Sequence, residues 1–215
     1  MQRSPEPELM LDEEQVRAYA NADFEEPHSH FMELLTGRFG SFPEQGCALD
    51  LGCGSGDISR RFAAMFPGWQ IDGIDGSAAM LTAARAMTPR DAAIRYIEAR
   101  LPAPPTGRYD TIISNSLLHH LADPAVLWST IRAGTNPGCR VFVMDLLRPG
   151  DRATARAFVA RYAADEPPVL QNDFFHSLLA AYDLQEIREQ IHQAGLCFRV
   201  EAVSDRHVVA WGHVD

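Results

Sequence analysis

In "LDLGCGSGD", residues 49–57, glycine recurs at alternate positions: Gly52, Gly54 and Gly56. Glycine inside regular structure costs roughly 0.5–1 kcal/mol relative to alanine. A loop that carries three has use for a bare backbone, and that use is close approach of a ligand. The spacing G-x-G-x-G differs from the G-x-G-x-x-G of dinucleotide loops and from phosphate loops that end in Gly-Lys-Ser/Thr. Asp57 follows at once, where a pyrophosphate needs the helix end free of negative charge. Asp50 precedes the loop, and Asp75 ends the next apolar run. A carboxylate at that place can accept both hydroxyls of a ribose. Further on, "SNSLLHHL" (114–121) groups Asn115, Ser116, His119 and His120. "NDFFHSLLAAY" (172–182) interleaves Asn172, Asp173 and His176 with aromatics.

Elements with the right periodicity surround these residues. "CALDL", "WQIDGID", "IRYI", "YDTIIS" and "CRVFVMD" are short apolar runs that read as buried strands. Between the first two, Ile58, Phe62, Met65 and Phe66 recur at helical spacing up to Pro67-Gly68. Ser77 is placed to cap a helix that carries Met80, Ala84 and Met87 on one face. Asp123-Pro124 opens another helix, and "NPG" (136–138) reads as a turn. Strands alternating with helices require right-handed crossovers and a mostly parallel sheet. Near the C-terminus Asp183 and Glu186 form a capping-box pattern ahead of Ile187 and Ile191. "LCFRVEAV" and "RHVVAWG" then flank Ser204-Asp205, the signal of a closing antiparallel hairpin. Two segments stand outside this rhythm: a helical stretch at 12–40 with Phe31, Leu34, Leu35 and Phe39 as its stripe, and 149–182, too long for a simple crossover.

Composition narrows the functional classes. The chain has 215 residues, a length that suits one domain, with 29 acids against 19 bases and a net charge of −10. No basic stripe marks a nucleic-acid surface. Cys47, Cys53, Cys139 and Cys197 lack zinc-knuckle spacing and read as free thiols of a reducing cytosol. The acidic N-terminus lacks the apolar core of a signal peptide, and no run approaches the ~20 apolar residues of a membrane span. A soluble, cytoplasmic protein is expected; the oligomeric state is left open.

The glycine loop, the acid before it and the acid ending the second strand together resemble class I S-adenosylmethionine-dependent methyltransferases, over roughly residues 45–146. "LDLGCGSGD" carries the match and "IDGIDGSAAML" extends it. The resemblance implies a doubly wound, mostly parallel seven-stranded α/β sheet (Rossmann-like) that ends in an antiparallel hairpin. It implies one methyltransferase domain over 1–215: an N-terminal helical cap (12–40), a cofactor-binding core (45–146), a helical insertion (149–182), and the last helix with the hairpin (183–215). The cap and the insertion are expected to form a lid.

Carried over by position, the resemblance implies that Gly52 and Gly54 lie against the cofactor's amino-acid moiety and that Asp50 holds its ammonium, directly or through water. Asp75 binds the ribose, with Gly76 and Met80 lining the adenine. Glu98 is the candidate for the adenine amino group, although "YIEARLP" leaves Ala99 open for that position. Asn115 and Ser116 contact cofactor or substrate, and Tyr19 closes over the methionine end. S-adenosyl-L-methionine is the expected cofactor and S-adenosyl-L-homocysteine the product. One branch of quinone O-methyltransferases has a Glu-x-x-Glu-His metal motif after the fourth strand. Ser116, His119 and His120 stand there here, without either carboxylate, so no metal site is expected.

Methyl transfer is an in-line displacement that depends on positioning and exclusion of water. Oxygen and nitrogen acceptors also call for a base. His119 and His176 are the expected catalytic residues, with Asp145 and His28 as further base candidates; His120 reads as structural. The acceptor is expected to be a small molecule. A protein acceptor and a cofactor-binding protein without methyl transfer are the alternatives, and the acceptor atom is left open.

Overall fold

The computed structural model describes residues 1–6, 19, 22, 24–102 and 107–215. Part of the expected 12–40 cap (12–18, 20, 21 and 23) and residues 103–106 of the Pro-rich stretch lie outside the described residues. The elements are α1 (Glu25–Phe39), β1 (Gly46–Leu51), α2 (Asp57–Met65), β2 (Trp69–Asp75), α3 (Ala78–Met87), β3 (Ile94–Glu98), β4 (Tyr109–Asn115), α4 (Ala125–Gly134), β5 (Thr135–Leu146), α5 (Arg152–Tyr162), α6 (Pro168–Ala180), α7 (Leu184–Gln193), β6 (Arg199–Ala202) and β7 (His207–Val214).

The seven strands form one sheet in the order β3-β2-β1-β4-β5-β7-β6. β1 to β5 run parallel, and β7 is antiparallel to both β5 and β6. Strand order reverses between β1 and β4, so a crevice opens at their carboxyl ends, where ligands of such sheets bind. β1 and β4 are buried on both faces, hence their continuous apolar runs. Alternate residues serve opposite layers. Leu49, Leu51, Ile112, Val141 and Val143 pack with Leu127, Trp128 and Ile131 of α4 and Ile187 and Ile191 of α7. Ala48, Ile113 and Phe142 pack on the other face with Phe31 and Leu35 of α1 and Ile58 and Phe62 of α2. Each such side chain contributes about 1.5–3 kcal/mol by leaving water.

Local chemistry sets the element ends. The Ser77 side chain accepts from Met80 N at 3.3 Å. Asp183 and Glu186 make both bonds of a capping box, and Arg148 grips both carboxylates at 2.7–3.0 Å. The expected turn at 136–138 is instead absorbed into β5, which starts at Thr135 and shifts register against β4. Asn136 is held there by the Asp110 carboxylate at 2.8 Å, and Gly138 supplies the positive φ of 76°.

The insertion does form two helices. They pack on each other through Ala155, Leu178, Leu179 and Ala181, against Leu146. α6 and the chain just after it also receive the extended N-terminal segment. Ser4 N donates to Leu179 O at 2.9 Å, and the Arg3 guanidinium donates to Ala180 O at 2.5 Å and lies 4.1 Å from the Tyr182 ring.

Candidate cofactor and acceptor site

The glycine loop takes the shape of its contacts with β2. Gly52 N and Cys53 N both donate to Ile74 O, at 2.8 and 3.0 Å, which folds the chain back over the strand end. Gly52, Gly54 and Gly56 all have positive φ, at 71°, 52° and 77°, a region disfavoured for side chains with a Cβ. The three differ in what surrounds them. A Cβ on Gly56 would strike the Tyr96 hydroxyl, and one on Gly52 would come within 2.9 Å of Leu117. A Cβ on Gly54 would meet nothing within 4 Å. Gly56 and Gly52 are therefore bare for packing, while Gly54 is bare toward open space.

That space is a cleft open to solvent, of about 870 Å³ with its mouth and the adjoining solvent included. Tyr19, Gly52, Gly54, Asp75, Gly76, Met80, Ala99, Asn115 and Ser116 all line it; nine of the candidates drawn from the sequence thus converge. The Asp75 carboxylate accepts from Gly54 N at 2.9 Å and from Ser77 N at 2.8 Å. One oxygen faces each of these donors, the Gly76 N–H also bonds the carboxylate, and the acceptor capacity that remains can take a ligand hydroxyl. Burial raises the Asp75 carboxyl against these backbone bonds. Ser116 is the single described non-glycine residue with positive φ, 56°, pinned by its N–H to Met144 O at 2.9 Å. Backbone held in this region marks a place whose surroundings dictate its conformation. Tyr19 packs its ring 4.7 Å from Phe24, and burial pushes its hydroxyl up to about 12, so it acts as a neutral phenol.

Other candidates take different places. Asp50 is 1% exposed and lies beneath the loop rather than on the cleft wall, accepting from Ser59 Oγ at 2.6 Å. Burial pushes its carboxyl up to about 7, opposed by the Ser59 bond and reinforced by Asp75. Glu98 is exposed and off the cleft, and Ala99 occupies the lining position. His176 is exposed and lines nothing there. None of the described lining residues comes from 149–182. His28 is committed to Asp57 at 2.7 Å, which Arg61 also holds at 2.7 Å, locking α1 to α2.

The two histidines exchange the places read from sequence. His119 is 3% exposed and turned away from the cleft, with Nδ1 2.5 Å from Asp145 Oδ1. His120 lines the cleft. Asp145, 2% exposed, also accepts from Leu118 N at 2.6 Å and Leu146 N at 2.7 Å. It thereby fixes the 3-10 turn Leu118–His120 that forms one side of the cleft. Burial disfavours charge on both partners, yet their mutual attraction wins: the His119 pKa is raised and the Asp145 pKa lowered. A lone pair of adjacent histidines offers no local signal of which ring points where. That is decided by Asp145, 25 or more positions away in sequence. Sequence reasoning also missed Glu6, whose Oε1 stands 3.4 Å from His119 Nε2 and 3.2 Å from His120 Nδ1.

The chain was compared with known proteins. Residues 49–141 match the family model described as "Methyltransferase domain". An uncharacterized methyltransferase of Mycobacterium tuberculosis is 30% identical over 108 residues, 49% of this chain and 53% of the relative. A trans-aconitate 2-methyltransferase of Methylobacterium radiotolerans is 38% identical over 96 residues, 42% of this chain and 34% of the relative. The chain therefore spans about half the length, or less, of the curated relatives it matches. Among solved structures, a SAM-dependent methyltransferase from Aquifex aeolicus superposes with a TM-score of 0.70 at 15% identity, covering 96% of this chain and all of that one. The plantazolicin methyltransferase BpumL, solved with SAH and a triazolic desmethylPZN analog, gives a TM-score of 0.69 at 13% identity over 92% of this chain and 89% of its own. At these identities the structural matches show the fold. Among the described residues no helix is long and apolar enough to cross a membrane.

Proposed function

This chain belongs to the class I S-adenosylmethionine-dependent methyltransferases, and from that premise we propose that it moves the cofactor's methyl group to a small-molecule acceptor, with residues 1–215 acting as one catalytic unit. The observation that carries the reading is the convergence of Asp75, the bare Gly52–Gly54 backbone, Asn115 and Ser116 on one cleft at the point where strand order reverses. A carboxylate with spare lone pairs beside a loop that has no Cβ toward the cleft fits a ribose joined to an amino-acid moiety. Bound there, S-adenosylmethionine supplies a methyl group activated by its sulfonium sulfur.

The residues then divide the work. Asp75 accepts the ribose hydroxyls, while Gly76, Met80 and Ala99 border the base. Gly52 and Gly54 let the amino-acid end lie on the backbone, Tyr19 covers that end, and Asn115 and Ser116 border the transfer point. His120 presents an imidazole to the acceptor's side of the cleft. His119 and Asp145 act through the turn they anchor. A trans-aconitate 2-methyltransferase among the relatives and a plantazolicin methyltransferase among the structural neighbours support a small acceptor.

Calorimetry on Asp75→Ala tests the cofactor site. A lost charge-assisted hydrogen bond is worth about 1.5–3 kcal/mol, so affinity is expected to fall about 10–150-fold in a folded protein. Unchanged affinity would remove Asp75 from the ribose. A second measurement addresses Asp50. With a free-state pKa of about 7 it is mostly protonated at pH 6. Pairing with the cofactor's ammonium through a water bridging from beneath the loop lowers that pKa, so binding at pH 6 is expected to release a proton, seen as a binding heat that depends on the buffer's ionisation enthalpy. Asp50→Asn abolishes the release, and a wild type without it puts the ammonium elsewhere. Incubation with labelled cofactor and a metabolite extract tests the function itself: labelled small molecules support it, while label only on protein, or no product, refutes it.

A further inference from the structure

Glu6, His119 and His120 bring one carboxylate oxygen and two imidazole nitrogens within 4.8 Å of one another, beside the cleft. The Glu6 oxygen lies 3.4 Å from His119 Nε2 and 3.2 Å from His120 Nδ1. These separations are longer than the about 2.7–2.9 Å of charge-assisted hydrogen bonds. They come close to the edges of a tetrahedron around an ion with ligand bonds of about 2.0–2.2 Å, which are roughly 3.3–3.6 Å. The back of the cluster has the order a metal site needs. His119 Nδ1 meets Asp145 at 2.5 Å, which fixes the ring and turns its Nε2 toward Glu6. A divalent cation entering between Nε2 and the Glu6 oxygen would take the place of the Nε2 proton, leaving Nδ1–H on Asp145 and the Nε2 lone pair on the ion. Carboxylate–histidine pairs behind a ligating nitrogen serve this purpose in metal proteins.

We propose that Glu6, His119 and His120 bind a divalent transition-metal ion, zinc by ligand type, with Asp145 as the carboxylate behind His119. Two imidazoles and one carboxylate form a three-ligand set that leaves a fourth position open. His120 lines the cleft, so the ion sits at the cleft's edge. The carboxylate absent from the turn's own sequence arrives from the N-terminal segment. Arg3 sets that segment in place through His119 O at 2.8 Å and Leu121 O at 3.1 Å, and Ser177 Oγ donates to Glu6 at 3.0 Å. The ion would then tie this segment to the cleft wall. The inference stands on these distances and not on the proposed reaction: a protein that binds the ion but no cofactor would refute the function above and leave this site intact.

The test uses the untagged, chelator-treated full chain, titrated with zinc by calorimetry and with cobalt by visible absorption. The expected result is one ion per chain and the intense absorption of four-coordinate cobalt. Glu6→Gln and His120→Ala, each checked for an unchanged thermal transition, are expected to weaken binding by more than about 100-fold, beyond the 10–100-fold typical of residues behind the ligands. Absence of saturable binding overturns the site. So does wild-type affinity in either variant, or binding lost instead in Cys197→Ser, which would assign the ion to the exposed thiol.

Discussion

Gly54→Val is expected to abolish measurable cofactor binding while leaving a folded protein. The residue stands at φ 52° and lines the cleft. Its absent Cβ faces no protein atom within 4 Å, so the fold has room for a side chain that the ligand does not. Left-handed backbone costs an L-residue roughly 1–2 kcal/mol, and β-branching makes the position a true outlier. That cost lowers the melting temperature by several degrees without unfolding the chain. The same strain pulls on Gly54 N, which holds Asp75 at 2.9 Å, so the ribose carboxylate moves with the loop. Calorimetry and thermal melts on one preparation decide the matter. Near wild-type affinity would show that the loop is only a turn. Gly56→Val provides the contrast: its Cβ meets the Tyr96 side chain, and a larger fall in melting temperature than for Gly54→Val is expected.

Asp145→Ala should produce the largest loss of stability, about 3–5 kcal/mol, the usual cost of removing one partner of a buried ion pair. Four groups lose their acceptor together: the His119 ring and the backbone N–H groups of Leu118, His119 and Leu146. Each lies in the interior, where an unpaired donor keeps its full desolvation penalty. Domains of this size have about 5–15 kcal/mol in all, so the variant sits near the edge of folding. Asp145→Asn keeps one acceptor oxygen and should lose less. Denaturant unfolding measures both, and a loss below about 1 kcal/mol for the alanine variant would show that the 118–120 turn is held by packing alone.

Much of this was legible in the chain as text. The apolar runs gave five parallel strands because a doubly covered strand must be apolar on both faces. The capping residues at Ser77 and Asp183 marked helix starts, since their bonds are made to backbone three residues or fewer away. Gly54 and Asp75 could be assigned to one site because both stand at strand ends, and a parallel sheet places all its carboxyl ends on one edge. Asn136–Gly138 shows a limit of the local reading: it has turn chemistry, but pairing with β4 and the Asp110 carboxylate drew it into β5.

The amino-acid sequence by itself determined the sheet, the helices between its strands and the loop that a cofactor must approach, because each depends on periodicity, backbone sterics or contacts a few residues apart. Only the tertiary structure decided that His120 and not His119 faces the cleft, that Ala99 and not Glu98 borders it, and that Asp50 lies beneath the loop. It alone brought Glu6 to the two histidines. Such choices rest on which partner meets a side chain across more than a hundred positions, as Glu6 meets His119, or across twenty-six, as Asp145 does. No spacing along the chain encodes the direction of a ring: it follows from the one arrangement in which buried charges find partners, and that arrangement exists only once the layers have packed.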